Sequence, residues 1–353
     1  MKAWDETEAV IRRAAEQRAA EEAEVRGELE REGIDLDPTR TGTHRHGDLE
    51  HASDHAHPHA HSVPGERPTV GIVGAGAVGF VLGIALDRAG WPVTAVASRD
   101  AARRERFHAR IPRARAFAEA NALVDEVELI ILAVPDDAVA AVAGSLRLYA
   151  GQALVHTSGL LGAEVLRPAL AAGTQAGAFH PLVAFADPER ALAALPGATI
   201  AIEGDDDLAA HLAEMAEAIG AVPVRLAAGT KAAYHAAAVL SAGGVVALLD
   251  TIREVAAATG LDEAGALSIY LPLLEQTVAN ARALGIAAAL TGPSIRGDTG
   301  TIAAHLDAIR ASAPAAEPVY RALLERSVEI ALGRGAVTPE TAARLRAALA
   351  ANP

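Results

Sequence analysis

Thr-Val-Gly-Ile-Val-Gly-Ala-Gly-Ala-Val-Gly, residues 69–79, is the stretch on which the fold turns. Val70–Val73 is a short β-branched run. Gly74-x-Gly76-x-x-Gly79 follows it directly and opens an apolar helical stretch, Phe80 to Ala89, that Gly90 ends. In that setting Gly74 permits the tight turn, Gly76 lets the backbone approach a diphosphate, and Gly79 lets helix and strand pack closely. The helix start, with Ala77 and Val78, offers free N–H groups and a partial positive charge to an anion. A second β-branched run at Val93–Ala97 completes strand, turn, helix and strand within about 30 residues. The pattern predicts a dinucleotide site.

Outward from this unit, Leu129–Val134, Ala153–Thr157 and Gly177–Phe179 read as further buried parallel strands, with Ala-rich helical stretches between them. Ala198–Glu203 and Val222–Arg225 extend the sheet around a helix from about Leu208 to Ile219. After Gly229 the strand signals stop, and residues 230–350 read as helices broken at Gly260, Gly285, Gly292–Pro293, Pro314 and Gly333–Gly335. The expected architecture is α/β, a doubly wound parallel sheet followed by an all-α C-terminal domain. Its divisions are an extension over 1–66, a nucleotide-binding domain over 67–228, and a helical substrate and dimerisation domain over 229–353.

Composition narrows the function. The 353 residues carry a net charge of −14 and no cysteine, with 51% hydrophobic and 3% aromatic content. Zero cysteine excludes disulfide scaffolds, thiolate metal sites and cysteine nucleophiles. The acidic balance argues against nucleic acid, which needs clustered Lys and Arg. Residues 1–66 hold 8 Lys and Arg against 16 Asp and Glu. Seven of the thirteen histidines lie between His44 and His61. That tract is compatible with metal scavenging but has nothing to fix ligand geometry, so a biased tail is the simpler reading and no metal is assigned. The first 30 residues hold no apolar run of a secretory signal, so the cytoplasm is expected. Ala236 to Leu249 is apolar but only 14 residues long; it suits a buried core helix better than a membrane span.

Several residues carry candidate chemistry. At the end of the second strand Ser98-Arg99 stands where an NAD site usually has Asp or Glu, and a hydroxyl beside a guanidinium suits a 2′-phosphate; NADP is therefore expected. Asp100 follows one step beyond. Val134-Pro135 ends the next strand where the chain passes the cofactor, and Asp136 can cap the helix after it. Ser158 and His180 follow other strand ends and line the same crevice; His156 there also fits a core histidine satisfied by the backbone. Lys231 and His235, at i and i+4, share one face of the longest apolar helix, and Ser241 roughly continues the stripe. A buried lysine has a lowered pKa and can give a proton to a carbonyl being reduced. A packed histidine beside a lysine snorkelling at the domain edge is the plainer alternative. In Leu290–Thr299, Arg296 can pair with a substrate carboxylate, and Asp298 can accept from a substrate hydroxyl or cap a helix.

Gly74–Gly79, the Ala133–Pro135 turn, Phe179–Pro181, Lys231-x-x-x-His235 and Leu290-Thr-Gly-Pro293 with Arg296-Gly-Asp298 resemble the bacterial Rossmann-like plus DUF2520 proteins. That group is similar to pyrroline-5-carboxylate reductases, F420-dependent NADP reductases and β-hydroxyacid dehydrogenases. The resemblance covers residues 68–350. It implies a Rossmann sheet with a helical C-terminal domain of the 6-phosphogluconate-dehydrogenase type, an NADP-linked reductase, and a homodimer through the helical domain. Some members are associated with ketopantoate reduction in pantothenate synthesis. In β-hydroxyacid dehydrogenases the corresponding helix carries Lys-x-x-x-Asn; here it is Lys231-x-x-x-His235. The expectation is NADPH-dependent reduction of a small keto acid, 2-dehydropantoate, with Lys231, His235 and Asp298 as the catalytic set and Arg296, Ser158, His180 and Ser241 on the substrate. Reduction of an imino acid, and NADPH binding without turnover, are the alternatives. No nucleic acid or membrane partner is expected.

Overall fold

A computed structural model describes residues 67–166, 173–227 and 229–351. The expectations for residues 1–66 lie outside them. The strands are β1 (Val70–Val73), β2 (Val93–Ala97), β3 (Arg115–Phe117), β4 (Leu129–Leu132), β5 (Ala153–His156), β6 (Gln175–Pro181), β7 (Thr199–Glu203) and β8 (Val222–Arg225). They form one sheet in the order β3-β2-β1-β4-β5-β6-β7-β8. The order reverses between β1 and β4, where a doubly wound sheet opens its crevice. Alternate residues serve two cores. Val70, Ile72, Leu129, Ile131 and Val155 pack on one face with Phe80, Leu212 and Met215. Val73, Ile130, Leu132 and Leu154 pack on the other with Leu123 and Val139. Both faces are covered, which is why the strands read as continuous apolar runs.

The expected doubly wound, mainly parallel sheet is what the structure shows, with one reversal, between β6 and β7, that the strand signals did not announce. β7 runs antiparallel to β6, with His180 opposite Ala201, and β8 is parallel to β7. The cause is the link from Pro181 to Thr199. It returns to the edge it left, and the Leu182 N–H donates to the Thr199 carbonyl at 2.8 Å, so β7 starts where β6 ends. The helices that flank the sheet are α1 (Ala77–Arg88), α2 (Ala101–Arg110), α3 (Asn121–Val124), α4 (Asp136–Ser145), α5 (Pro188–Ala194) and α6 (Asp206–Ala218).

From Lys231 onward the described residues form helices only: α7 (Lys231–Ser241), α8 (Gly243–Ala257), α9 (Glu263–Leu284), α10 (Ile286–Ala289), α11 (Pro293–Arg296), α12 (Thr299–Ser312), α13 (Glu317–Gly333) and α14 (Pro339–Ala350), with a short 3-10 turn at Pro314–Ala316. The last three helices share a core of Ile302, Leu306, Val328, Ala331, Leu345 and Leu349. The apolar run that suited a buried core helix is not buried in one chain. It breaks at Ala242 (φ −112°, ψ −81°), and Lys231 is the one buried residue of α7. Leu240 is 72% and Val246 66% exposed, and Ile269, Leu273, Val278 and Leu284 of α9 are exposed with them. By length and composition alone Lys231–Ala257 is apolar enough to cross a membrane. Its first residue, however, is bound into the loop after β5.

Candidate active site

The glycine turn has the form that its spacing requires. Gly74 has φ +103°, and a Cβ there would lie 2.3 Å from the Ala133 carbonyl oxygen. A Cβ on Gly79 would meet the Gly74 carbonyl oxygen at 2.0 Å. Gly76 differs, because its side-chain direction is open and the nearest atom is Arg103 Nη1 at 3.9 Å. It caps α1 without a side chain, and the N–H groups of Ala77, Val78 and Gly79 precede the first intrahelical bond, from Phe80 to the Gly76 carbonyl. Close backbone, open approach and a row of free donors fit the diphosphate of a dinucleotide. Val134 and Pro135 stand opposite this turn, where the Ala133 N–H donates to the Val73 carbonyl at 2.8 Å.

At the end of β2, Ser98 is half-buried and Arg99 exposed. Asp100 does not compete for a ribose. Its carboxylate caps α2 by accepting the Arg103 N–H at 3.1 Å, and it pairs with the Arg103 side chain at 3.3 Å. Arg104 donates to the carbonyls of Ser98 and Arg99 and so shapes the corner. Arg103, which follows this corner in the sequence, has its Nη1 3.9 Å from where a Cβ on Gly76 would lie. At the end of β4 it is Pro135 that occupies the cap position of α4. Asp136 is the first helical residue and caps nothing, although its charge favours the helix start.

Beyond β5 the backbone turns back over itself, held from both sides. His156 is fully buried. The Ser158 N–H donates to its Nδ1 at 3.2 Å, and its Nε2 lies 3.1 Å from the Gly162 carbonyl. That pairing fixes the Nε2–H tautomer. Burial, and next the charge of Lys231, push its pKa down to about 4, so the ring is neutral. The Ser158 hydroxyl oxygen accepts the N–H groups of Leu160 and Leu161, at 3.1 and 3.0 Å, and is spent on the loop itself.

Lys231 reaches into this loop. Its Nζ donates to the carbonyls of Ser158 at 2.7 Å and Leu161 at 2.6 Å, and the residue is 3% exposed. Burial lowers the amine to about 8 against the opposing pull of Glu203, Asp136 and Glu164. One turn further along α7, Tyr234 and His235 stand edge-on to His180, with ring centroids 5.7 and 5.8 Å away. His180 Nδ1, His235 Nδ1 and the Tyr234 hydroxyl are enclosed and have no hydrogen-bond partner. Burial first, then Lys231, lowers His180 to about 4. The structure thus brings Ser158, His180, Lys231 and His235 together and adds Gly159 and Tyr234. Tyr234 left a faint signal in the sequence, three residues after Lys231 on the same helix.

Three predicted site residues lie apart from this cluster within one chain. Ser241 is exposed and donates to the Ala237 carbonyl at 2.9 Å, its helix having turned away over the intervening residues. Asp298 caps α12, accepting the Thr301 N–H at 3.0 Å and the Thr301 hydroxyl at 2.6 Å. Those bonds hold its pKa below the usual carboxylate value, and its charge is absent from those acting on Lys231. Arg296 is exposed at the end of α11, and Gly297 beside it (φ +69°) packs against Thr341 of α14. This corner belongs to the packing of the C-terminal helices. Among the described residues, no three His, Cys, Asp or Glu side chains are placed to hold a metal ion.

Residues 55–181 match the family described as a Rossmann-like domain, and residues 198–327 match the domain of unknown function DUF2520. The chain joins a Rossmann-like domain to a DUF2520 domain. The DUF2520 match begins at β7, so this Rossmann-like plus DUF2520 protein changes family within its sheet, at the reversed strands. No curated protein matches the chain. Among solved structures, the Thermotoga maritima protein TM1727 is 25% identical, with a TM-score of 0.56 over 74% of this chain and 98% of that one. A reductive aminase from Aspergillus terreus, in complex with NADPH and ethyl-5-oxohexanoate, is 19% identical with a TM-score of 0.59, over 79% and 99% of the two chains. An imine reductase from Pseudomonas sp. is 20% identical with a TM-score of 0.54, over 77% and 99%.

Proposed function

We propose that the protein is an NADPH-dependent oxidoreductase that reduces the carbonyl of a small 2-keto acid, with 2-dehydropantoate, giving pantoate, as the substrate. The observation that carries this reading is a buried lysine amine bound into the loop after β5, at the carboxyl edge of the same sheet that carries the glycine turn, near two histidines whose Nδ1 atoms have no partner. Gly74, Gly76, Ala77, Val78 and Gly79 would hold the diphosphate, Ser98, Arg99 and Arg103 the 2′-phosphate, and Val134 and Pro135 the nicotinamide end. Bound there, the cofactor supplies hydride. Lys231 keeps a proton near the reacting oxygen, and its third N–H remains after two carbonyls are satisfied. His180 and His235 orient the substrate.

A second reading, reduction of an imine, is favoured by the exposed position of Arg296, which leaves one chain's cluster without a carboxylate clamp. The reductive aminase and imine reductase of similar fold support it. Loss of nicotinamide absorbance in a panel of keto acids and cyclic imines tests both. Turnover of 2-dehydropantoate with NADPH is expected. Turnover of cyclic imines alone would replace the first reading with the second, and NADPH binding without any turnover would remove both.

The exposed apolar face of α7, α8 and α9 supports a homodimer through the helical region, since a surface patch of this kind is covered by a partner. Sedimentation at micromolar concentration is expected to give twice the chain mass. A monodisperse monomer would contradict it.

A further inference from the structure

One row of the sheet carries His156, Ala178 and Glu203 on neighbouring strands, with His156 opposite Ala178 and Ala178 opposite Glu203. Residues directly opposite one another share a sheet face. The row therefore turns His156 and Glu203 to the same face, with the methyl group of Ala178 between them. The loop after β5 folds over that face and enters a 3-10 turn, Ala163–Leu166, with Leu161, Val165 and Leu166 packed on the core there.

A single peptide group of this loop is bound at both ends. His156 Nε2 donates to the Gly162 carbonyl at 3.1 Å, and the Ala163 N–H donates to Glu203 Oε2 at 2.9 Å. In a trans peptide these two groups point opposite ways, so the unit bridges the two side chains of the row. A carboxylate on the N–H also polarises the peptide and strengthens the bond at its carbonyl. The carbonyl just before this unit, that of Leu161, accepts from Lys231 at 2.6 Å. Four residues before Ala163 the same loop passes against the histidine rings: a Cβ on Gly159 would lie 2.3 Å from His235 Nδ1 and 2.7 Å from His180 Nε2.

We propose that Glu203 is a positioning residue for Lys231: it fixes the Gly162–Ala163 peptide, and thereby the Leu161 carbonyl to which the amine is bound. Its charge also opposes the effect of burial on the amine more than that of Asp136 or Glu164 does. The remaining titratable groups about Lys231 are His156 of β5 and His180 of β6, with His235 one turn on along α7 itself. The part of Glu203 in turnover rests on the reductase reading; the anchoring of the loop does not.

Lys231 is one of two lysines in the chain, with Lys2, so the full chain labelled with 13C at lysine Cε gives two signals, and Lys231→Met assigns them. Glu203→Gln keeps an acceptor for the Ala163 N–H and removes the charge, whereas Glu203→Ala removes both. In Glu203→Gln the Lys231 midpoint is expected at least about half a pH unit below that of the wild type. Hydrogen exchange at the Ala163 amide is expected to rise at least about tenfold in Glu203→Ala and less in Glu203→Gln. Glu164→Gln, whose side chain lies against Gly162, is expected to leave that exchange unchanged and to move the midpoint less. Should Glu203→Ala not fold, Glu203→Asp, whose shorter chain withdraws the acceptor, replaces it. Wild-type exchange in these variants would overturn the anchor. A Lys231 midpoint that stays in place in Glu203→Gln, or moves further in Glu164→Gln, would overturn the link to the amine. A protein that meets both expectations and consumes no NADPH keeps the anchor and loses the reductase reading. Turnover with an unmoved midpoint does the reverse.

Discussion

The Lys231 ammonium donates to the Ser158 carbonyl at 2.7 Å across 73 residues of sequence, and to the Leu161 carbonyl at 2.6 Å. The first residue of the helical region is thereby fastened to the loop that follows β5. A side chain read from the sequence as a proton source is also a structural clasp.

Removing that clasp leaves two carbonyls without their donor, at a cost of about 1–3 kcal/mol for a buried polar group left unpaired. Lys231→Met is expected to lower stability in urea by at least about 1 kcal/mol, and Lys231→Arg by less. Equal stability of Lys231→Met and wild type would show that the bonds contribute nothing to the fold.

The amine loses its proton near pH 8. If it protonates the product oxygen, turnover falls as pH rises through about 8 and survives below it. The same limb is absent from whatever activity Lys231→Met retains. A rate that is level from pH 7 to 10 would place the proton source elsewhere.

His156 and His180 have folded pKa values of about 4 against 6.5 for an unperturbed ring. Between those values the unfolded chain binds protons that the folded chain refuses. Stability is therefore full above pH 6.5 and is lost as pH falls toward 4, with a slope of at most about 1.4 kcal/mol per pH unit for each ring. Denaturant titrations over this range are expected to show the decline, and His156→Leu to make it shallower.

The three glycines of the turn separate folding from binding. Gly74→Ala and Gly79→Ala force a Cβ to within 2.3 and 2.0 Å of a main-chain oxygen, so both are expected to lower the melting temperature. Gly76→Ala meets nothing nearer than 3.9 Å. It is expected to fold as the wild type does and to lose affinity for the dinucleotide.

Arg99→Ala and Arg103→Ala are expected to weaken NADPH roughly tenfold or more, as loss of a charge-assisted bond of about 1.5–3 kcal/mol implies, and to leave NADH nearly unchanged. Equal losses for both dinucleotides would remove the 2′-phosphate from this corner.

Much of this arrangement was legible from residue order. The Gly74–Gly79 spacing after a β-branched run located the nucleotide turn, and a lysine among alanines marked the start of α7. The direction of β7 was not legible, because apolar runs such as Ala198–Glu203 look the same in either sense; the Leu182–Thr199 backbone bond settles it. β3, over Arg115–Phe117, is too short and too exposed to leave an apolar signal. Arg296 and Asp298 carry suitable chemistry, but proximity is not written in spacing, and Thr301 takes the carboxylate. The apolar circumference of residues 232–249 announced the need for a cover without saying who supplies it.

The division of α7 has a consequence for how this molecule would respond to dilution. Its opening turn is moored in the loop after β5 through Lys231, while nine residues later Leu240 projects from the surface, 72% exposed. One rigid rod then serves two masters. If a second copy covers that half of the helix, as proposed, specific activity is expected to fall together with assembly on dilution.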